Sequence, residues 1–216
     1  MTTLAASLHA AGDDQIDADR PGIADPSRSV KAGRFQIELG PQREHSGGEI
    51  SLSVPALLRY GISDSFELRA ESDTYEHTRM ASGWNPISIG FKDHFFERPG
   101  ESLGVIGRWF FPSGSGEFRS HSNAEDVRLA GDFDFGEDWT INPNVGFEHP
   151  GGATAALTVQ YNLSNKTNVF IDGGARRSEV LIDTGAAWVV GSNTQFDVSI
   201  GFGSHGFWSA GMSRRF

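Results

Sequence analysis

From Gly33 to the C-terminus, apolar and polar side chains alternate with a period of two. The longest row is Ile50, Leu52, Val54, Ala56, Leu58, Tyr60 and Ile62, with Glu49, Ser51, Ser53 and Arg59 on the opposite face. Successive side chains of a β-strand point to opposite sides, so this period specifies strands and excludes amphipathic helices. The pattern recurs at residues 35–39, 66–70, 87–91, 103–111, 127–135, 139–147, 157–161, 169–171, 180–190, 196–202 and 206–216. With 50–62 these make twelve strands, an even number. The segment 103–111 is the least regular, because Ile106 and Phe110 share the face that carries Arg108.

No apolar run approaches the roughly 18 residues of a transmembrane helix. A chain like this meets a membrane only through strands, whose backbone groups must then pair within a closed barrel. The 27 glycines and 16 phenylalanines suit an all-β protein with many turns and a large aromatic surface. Connections are short at 63–65, 136–138, 164–166 and 191–193, and long at 44–48, 75–85 and 113–125. Those near 149–154 and 203–206 are of modest length. Tight turns at one end and longer loops at the other are the plan of a transmembrane barrel with periplasmic termini. The expected fold is therefore a closed, antiparallel, up-and-down transmembrane β-barrel of about twelve strands over residues 33–216.

Alternation does not say which face is outside. Twelve strands enclose more space than one apolar layer fills, since about eight already just suffice. This favours charges inside and apolar rows against lipid. The lumen candidates are Glu38, Arg59, Glu67, Arg69, Glu71, Arg108, Arg128, Asp132, Asp172, Asp183 and Asp197. Two roles are open to them. They select solutes by charge, in which case Arg59→Ala widens the pore, or they pair with one another and plug the interior. A soluble two-sheet sandwich with a solvated charged face has the same periodicity. Tyr60, Trp84, Trp109, Trp139, Tyr161, Trp188 and Trp208 lie near strand ends, as interfacial aromatic girdles do.

The final strand places Trp208, Ala210, Met212 and Phe216 on one face. Trp208, Met212 and Phe216 are the expected assembly signal, with the terminal aromatic read by the barrel-assembly machinery. Residues 1–32 have no hydrophobic period and form an irregular arm. Its first twelve residues suit either the tail of a secretory signal or an unstructured terminus. Asp19-Arg20-Pro21 suits either a plug folded into the barrel or an unordered tether.

Several phrases occur in a telling order: Ala18-Asp-Arg-Pro-Gly-Ile-Ala-Asp25, Gly33-Arg-Phe-Gln-Ile-Glu-Leu-Gly40, Leu57-Leu-Arg-Tyr-Gly-Ile-Ser-Asp64, Phe66-Glu-Leu-Arg69, Phe110-Phe-Pro-Ser-Gly114 and Gly211-Met-Ser-Arg-Arg-Phe216. Together they resemble a transporter-like outer-membrane family described as a MetA pathway of phenol degradation. The resemblance implies a bacterial outer-membrane barrel that passes small, hydrophobic or aromatic solutes, and it brings no catalytic residues with it. Arg214 departs from the family pattern, which has an aromatic two residues before the terminal phenylalanine.

The function expected from these readings is a passive channel. The alternatives are an occluded structural or interaction barrel, and a soluble β-rich small-molecule-binding protein. The implied partners are outer-membrane lipid, the assembly machinery and a small solute. The net charge of −10 and the lack of a basic stripe argue against nucleic acid. There is no cysteine, and neither a nucleophile elbow nor a phosphate or dinucleotide loop appears, so no catalytic residue and no cofactor is expected. Ser113, Ser115 and His121 share a loop without a recognisable catalytic spacing. His45, His77, His121, His149 and His205 all fall on the long-loop side, where they form only weak metal candidates.

Overall fold

The computed structural model describes residues 15–177 and 179–216, so the signal-like reading of residues 1–12 lies outside them. Among the described residues, strand segments build twelve staves of one closed antiparallel barrel. The first four staves are each split in two. β1 (Phe35–Leu39) continues as β2 (Gln42–Ser46), and β3 (Glu49–Ser53) continues as β4 (Ala56–Gly61). β5 (Phe66–Ser72) continues as β6 (Tyr75–Thr78), and β7 (Ser82–Trp84) as β8 (Ser88–Arg98). The other eight staves are continuous. They are β9 (Glu101–Phe110), β10 (Ala124–Phe135), β11 (Trp139–His149), β12 (Gly152–Ser164), β13 (Thr167–Arg176), β14 (Glu179–Val190), β15 (Thr194–Gly203) and β16 (Gly206–Arg215).

Each stave pairs with the next in sequence, and the last pairs with the first. Leu39 lies opposite Met212 and Gln36 opposite Arg215, while β2 carries the same seam outward with Gln42 opposite Ser209. The Phe216 N–H donates to the Phe35 carbonyl at 2.8 Å, so the terminal residue completes the ladder. A closed sheet leaves no edge unpaired, which is the condition for crossing lipid.

Burial is inverted relative to a soluble protein. Ile89 is 53% exposed and Ile200 59%, whereas Arg59 is 1% exposed and Lys92 0%. The apolar rows face outward around the barrel, far beyond the few hundred Å² that a soluble monomer leaves bare. The single closed sheet and this inversion rule out the soluble two-sheet sandwich. The barrel spans a membrane, and its alternation is apolar toward lipid and polar toward the lumen. Trp139, Tyr161 and Trp188 lie beside the tight turns, with the Trp139 and Tyr161 rings 4.8 Å apart. Tyr75, Trp84, Trp109 and Trp208 lie toward the loop end, which gives two aromatic levels.

Two connections expected as long loops are strands instead. Residues 44–48 close in a two-residue turn at Gly47-Gly48, where φ is 57° and 87° and Ser46 pairs with Glu49. Both values are positive, the conformation glycine adopts freely and hairpin turns of the primed type need. Residues 75–85 form the β6–β7 hairpin rather than a loop. Of segment 113–125, the last two residues open β10, and residues 113–123 keep the expected irregular form around a short 3-10 turn (Gly116–Phe118). It rests on β7, where the Ser115 N–H donates to the Trp84 carbonyl.

The splits in the first four staves fall together at Gly40-Pro41, Val54-Pro55, Asp73-Thr74 and Asn85-Ile87. Proline has no N–H to give to a ladder, so Pro41, Pro55 and Pro86 each interrupt one. Between the second and third staves, pairing stops at Leu52 and His77 and resumes at Ala56 and Ser72. Across that lapse Thr74 Oγ1 donates to the Val54 carbonyl at 2.7 Å.

Candidate functional site

The lumen is occupied by the chain's own N-terminal arm. Residues 15–32 enter at the tight-turn end, circle the inner wall and leave at the same end. The Ile16 N–H donates to the Ser192 carbonyl in the β14–β15 turn. Arg20 reaches β15 and β16 through Asp197 at 3.3 Å and Ser209 at 2.6 Å. The N–H groups of Ile23 and Ala24 donate to Asp172 on β13. Asp25 donates from its N–H to Asn144 Oδ1 on β11, and Asn144 Nδ2 returns a bond to the Asp25 carbonyl, both at 2.9 Å. Ser27 binds Asp132 of β10 and Ser102 of β9. The Val30 N–H donates to Glu67 on β5 at 2.6 Å, and Ala32 bridges to Gly61 beside the entry to β1.

An irregular segment needs partners for its backbone groups, and here inward wall carboxylates and amides supply them. Two lumen-facing glycines make room. A Cβ on Gly211 would collide with the Arg20 guanidinium, and one on Gly104 with the Ser27 carbonyl. The arm buries few apolar side chains, chiefly Ile16, Ala24 and Val30. Its attachment is polar.

The ionic contacts divide the lumen into two sides. On one side stand Arg59, Arg69, Lys92, Arg108 and Arg128, from β4, β5, β8, β9 and β10. Asp19 of the arm lies 2.7 Å from Arg59, 2.7 Å from Arg69 and 2.9 Å from Lys92. Asp25 lies 2.7 Å from Arg108, 3.3 Å from Arg128 and 3.5 Å from Arg69. Wall carboxylates complete the set: Glu67 and Glu38 on Arg59, Glu71 on Arg69 and Arg108, and Asp126 on Arg108 and Arg128. The opposite side carries Asp172, Asp183 and Asp197 from β13, β14 and β15, and Arg20 of the arm is turned toward it. The arm thus offers acids to the basic wall and a base to the acidic one. Asp183 lies directly across from Asp172, and neither of its oxygens has a hydrogen-bond partner among the described residues.

All eleven candidate lumen residues face the interior. Glu38, Arg59, Glu67, Arg69, Arg108, Asp132, Asp172, Asp183 and Asp197 are buried, and Glu71 and Arg128 are half-buried. The wall charges pair both among themselves and with the arm, which makes about half of the lumenal ion pairs and places Asp19 and Arg20 inside the barrel. Asp25, Lys92, Asp126 and Asn144 belong to the same network. Nothing in their own sequence neighbourhood separates them from ordinary polar-row residues.

Two cavities adjoin this network. One, of about 270 Å³, is lined by Ile23, Arg128, Asn144, Arg176 and Glu179 toward the loop end. The other, of about 300 Å³, runs from Arg20, Glu38 and Glu71 to the interrupted wall at Pro55, Asp73 and Pro86.

The five loop-side histidines stay apart in role. His45 is in β2, His149 ends β11, His77 Nδ1 meets Ser82 Oγ at 2.6 Å, and His205 stands beside the Phe207 ring. Among the described residues no group of three His, Cys, Asp or Glu side chains is placed to hold a metal ion. Ser113 and Ser115 accept backbone N–H bonds from Ile87 and Trp84, which explains their place in the loop beside His121.

Residues 18–206 match the family described as "Putative MetA-pathway of phenol degradation". The chain belongs to that family. No curated protein matches it in sequence. Among solved structures, a COG4313 outer membrane channel from Pseudomonas putida F1 is similar with a TM-score of 0.68 at 13% identity, covering 94% of this chain and all of that one. The KdgM porin is similar with a TM-score of 0.64 at 13% identity, covering 84% of this chain and 99% of that one. At such identity the likeness is one of fold, a closed antiparallel barrel. Within that fold Arg214 has a defined local setting. It lies at the strand end, with its guanidinium 5.7 Å from the Phe216 ring centre and bonded to Thr194 Oγ1. A cation on the lipid row costs only about 0–1 kcal/mol at that level.

Proposed function

We propose that this protein is a passive outer-membrane channel for small solutes, narrowed in the present state by its own N-terminal arm. The observation that carries the reading is the chemistry of the arm's attachment. The wall is held by its backbone ladder, and the arm is held to it by ion pairs and hydrogen bonds that water can replace. Release would hydrate a polar lumen without exposing an apolar core, so the barrel can remain folded while the passage opens. Family membership supports small aromatic molecules as the solute class.

Liposome swelling with graded solutes tests this. Proteoliposomes are expected to admit small aromatic solutes and to exclude disaccharides, because the arm leaves only narrow cavities. Swelling no faster than in protein-free liposomes for every solute would remove the channel reading.

The apolar belt implies outer-membrane lipid as a partner, and the exposed row of Trp208, Met212 and Phe216 is proposed as the signal read by the assembly machinery. Deleting Phe216 removes the last ladder bonds to Phe35 and is expected to lower the yield of heat-modifiable, inserted barrel several-fold. Conductance of the barrels that do insert is expected to stay the same. Normal insertion would reject the signal.

A further inference from the structure

We propose that the basic side of the lumen is a binding site for a small aromatic dicarboxylate, and that Asp19 and Asp25 of the arm occupy it as an internal mimic. The site lies in the channel proposed above, but binding to it does not require conduction.

Lys92 is the first argument. It is fully buried, and the hydrogen bonds of its ammonium go to Asp19 Oδ1 at 2.9 Å, Asp19 Oδ2 at 3.1 Å and the Pro26 carbonyl at 2.8 Å. All three acceptors belong to the arm. With the arm withdrawn, Lys92 faces a hydrated lumen with none of these three acceptors, so an entering carboxylate can take the place of Asp19.

The second argument is geometric. Arg69 stands between the two arm carboxylates as an ion-pair partner, with Nη1 2.7 Å from Asp19 but without hydrogen-bond geometry, and Nη2 3.5 Å from Asp25. Residues six apart in sequence are thereby brought side by side on one guanidinium, as the two acid groups of a single small molecule would be. Arg108 Nη2 adds contacts of 2.7 and 2.8 Å to the two Asp25 oxygens. Guanidinium groups are suited to carboxylates because their donors are fixed in a plane and always charged.

Charge balance points the same way. Five cations, Arg59, Arg69, Lys92, Arg108 and Arg128, face four wall carboxylates, Glu38, Glu67, Glu71 and Asp126. Without the arm this side of the wall keeps that excess of one positive charge, which favours an anion there. The ligand's apolar body has a place as well. The cavity of about 300 Å³ that adjoins the site has Leu57, Phe110, Pro55 and Pro86 as its apolar wall; its carboxylates Glu38, Glu71 and Asp73 repel the acid groups, which leaves those to the five cations outside its lining. Arg128, a quarter exposed, lines the other cavity together with the more exposed Arg176 at the loop end.

The test is calorimetric titration of the full chain in detergent with phthalate, benzoate and the neutral phthalamide at fixed ionic strength. Phthalate is expected to bind more tightly than benzoate, and phthalamide not to bind. The Asp19→Asn/Asp25→Asn double variant removes the mimic's charge and is expected to bind phthalate about tenfold more tightly. Adding Lys92→Gln to it is expected to weaken binding about tenfold, the effect of one charge-assisted hydrogen bond. Phthalate that binds no better than phthalamide, or that ignores Lys92→Gln, overturns the proposal. A second readout needs no variant: in the wild-type chain, phthalate and not phthalamide is expected to speed proteolysis within residues 15–32, and equal rates would reject the mimicry. Phthalate binding in a protein that fails to admit solutes to liposomes would keep the site and discard the channel.

Discussion

Removing residues 15–30 is expected to raise single-channel conductance about tenfold or more, because twelve staves enclose a space wider than their own inward side chains fill. The arm occupies that space and touches β4, β5, β8, β9, β10, β11, β13, β15 and β16 from inside. The wall does not depend on it. Backbone pairing runs unbroken from β8 to β16, and β1 closes the ring on β16. The truncated barrel is therefore expected to keep its heat-modifiable gel migration while losing its plug. The measurement is conductance in planar bilayers on barrels shown by that migration to be folded. Unchanged conductance in such barrels would mean that the arm is not the barrier.

Truncating Arg59 to alanine is the second large effect. The side chain is fully buried and sits at the crossing of wall and arm, 2.8 Å from Glu67, 3.1 Å from Glu38 and 2.7 Å from Asp19. It also donates to the carbonyls of Asp17 and Arg28. Removing it leaves three carboxylates with less than their share of positive charge in a site shielded from water. Breaking a buried pair from one side costs about 3–5 kcal/mol. The expected result is a lower unfolding midpoint in detergent, together with a higher conductance as the arm loosens. Arg59→Lys is expected to recover part of the midpoint, since it restores the charge but not the planar donor fork. A midpoint equal to wild type would show that the network does not hold the structure.

The strands and the two faces of each were legible in sequence because alternation is a local rule. A row such as Ile50 to Ile62 fixes which side of its own strand is apolar, and an even set of such rows closes without an edge. The inward position of Arg59, Glu67 and Arg69 follows from the same alternation once the barrel is too wide for an apolar filling. The loop assignments at 44–48 and 75–85 erred for a related reason. Residues 42–46 and 75–78 are polar on both faces, so periodicity had no contrast to report, although they pair in register with apolar neighbours such as Ile50 and Leu52.

Other features were present in the sequence but unreadable there. Pro41, Pro55 and Pro86 are visible as ladder breakers, yet their common height in the wall follows only from the register between staves. The acids of the arm and the bases of the wall are plain in the sequence, but Asp19 and Lys92 are 73 positions apart. Which acid meets which base depends on how the chain returns through the lumen.

Sequence by itself determined an all-β chain of alternating strands and favoured a closed barrel with lipid-facing apolar rows over a soluble sandwich, because side-chain alternation acts residue by residue while the choice of outer face does not. Tertiary structure alone decided that the interior is filled, and by what. An arm with no period of its own takes its conformation from wall carboxylates, an asparagine and glycine clearances contributed by strands far apart in the chain. Those contacts exist only after the barrel has closed.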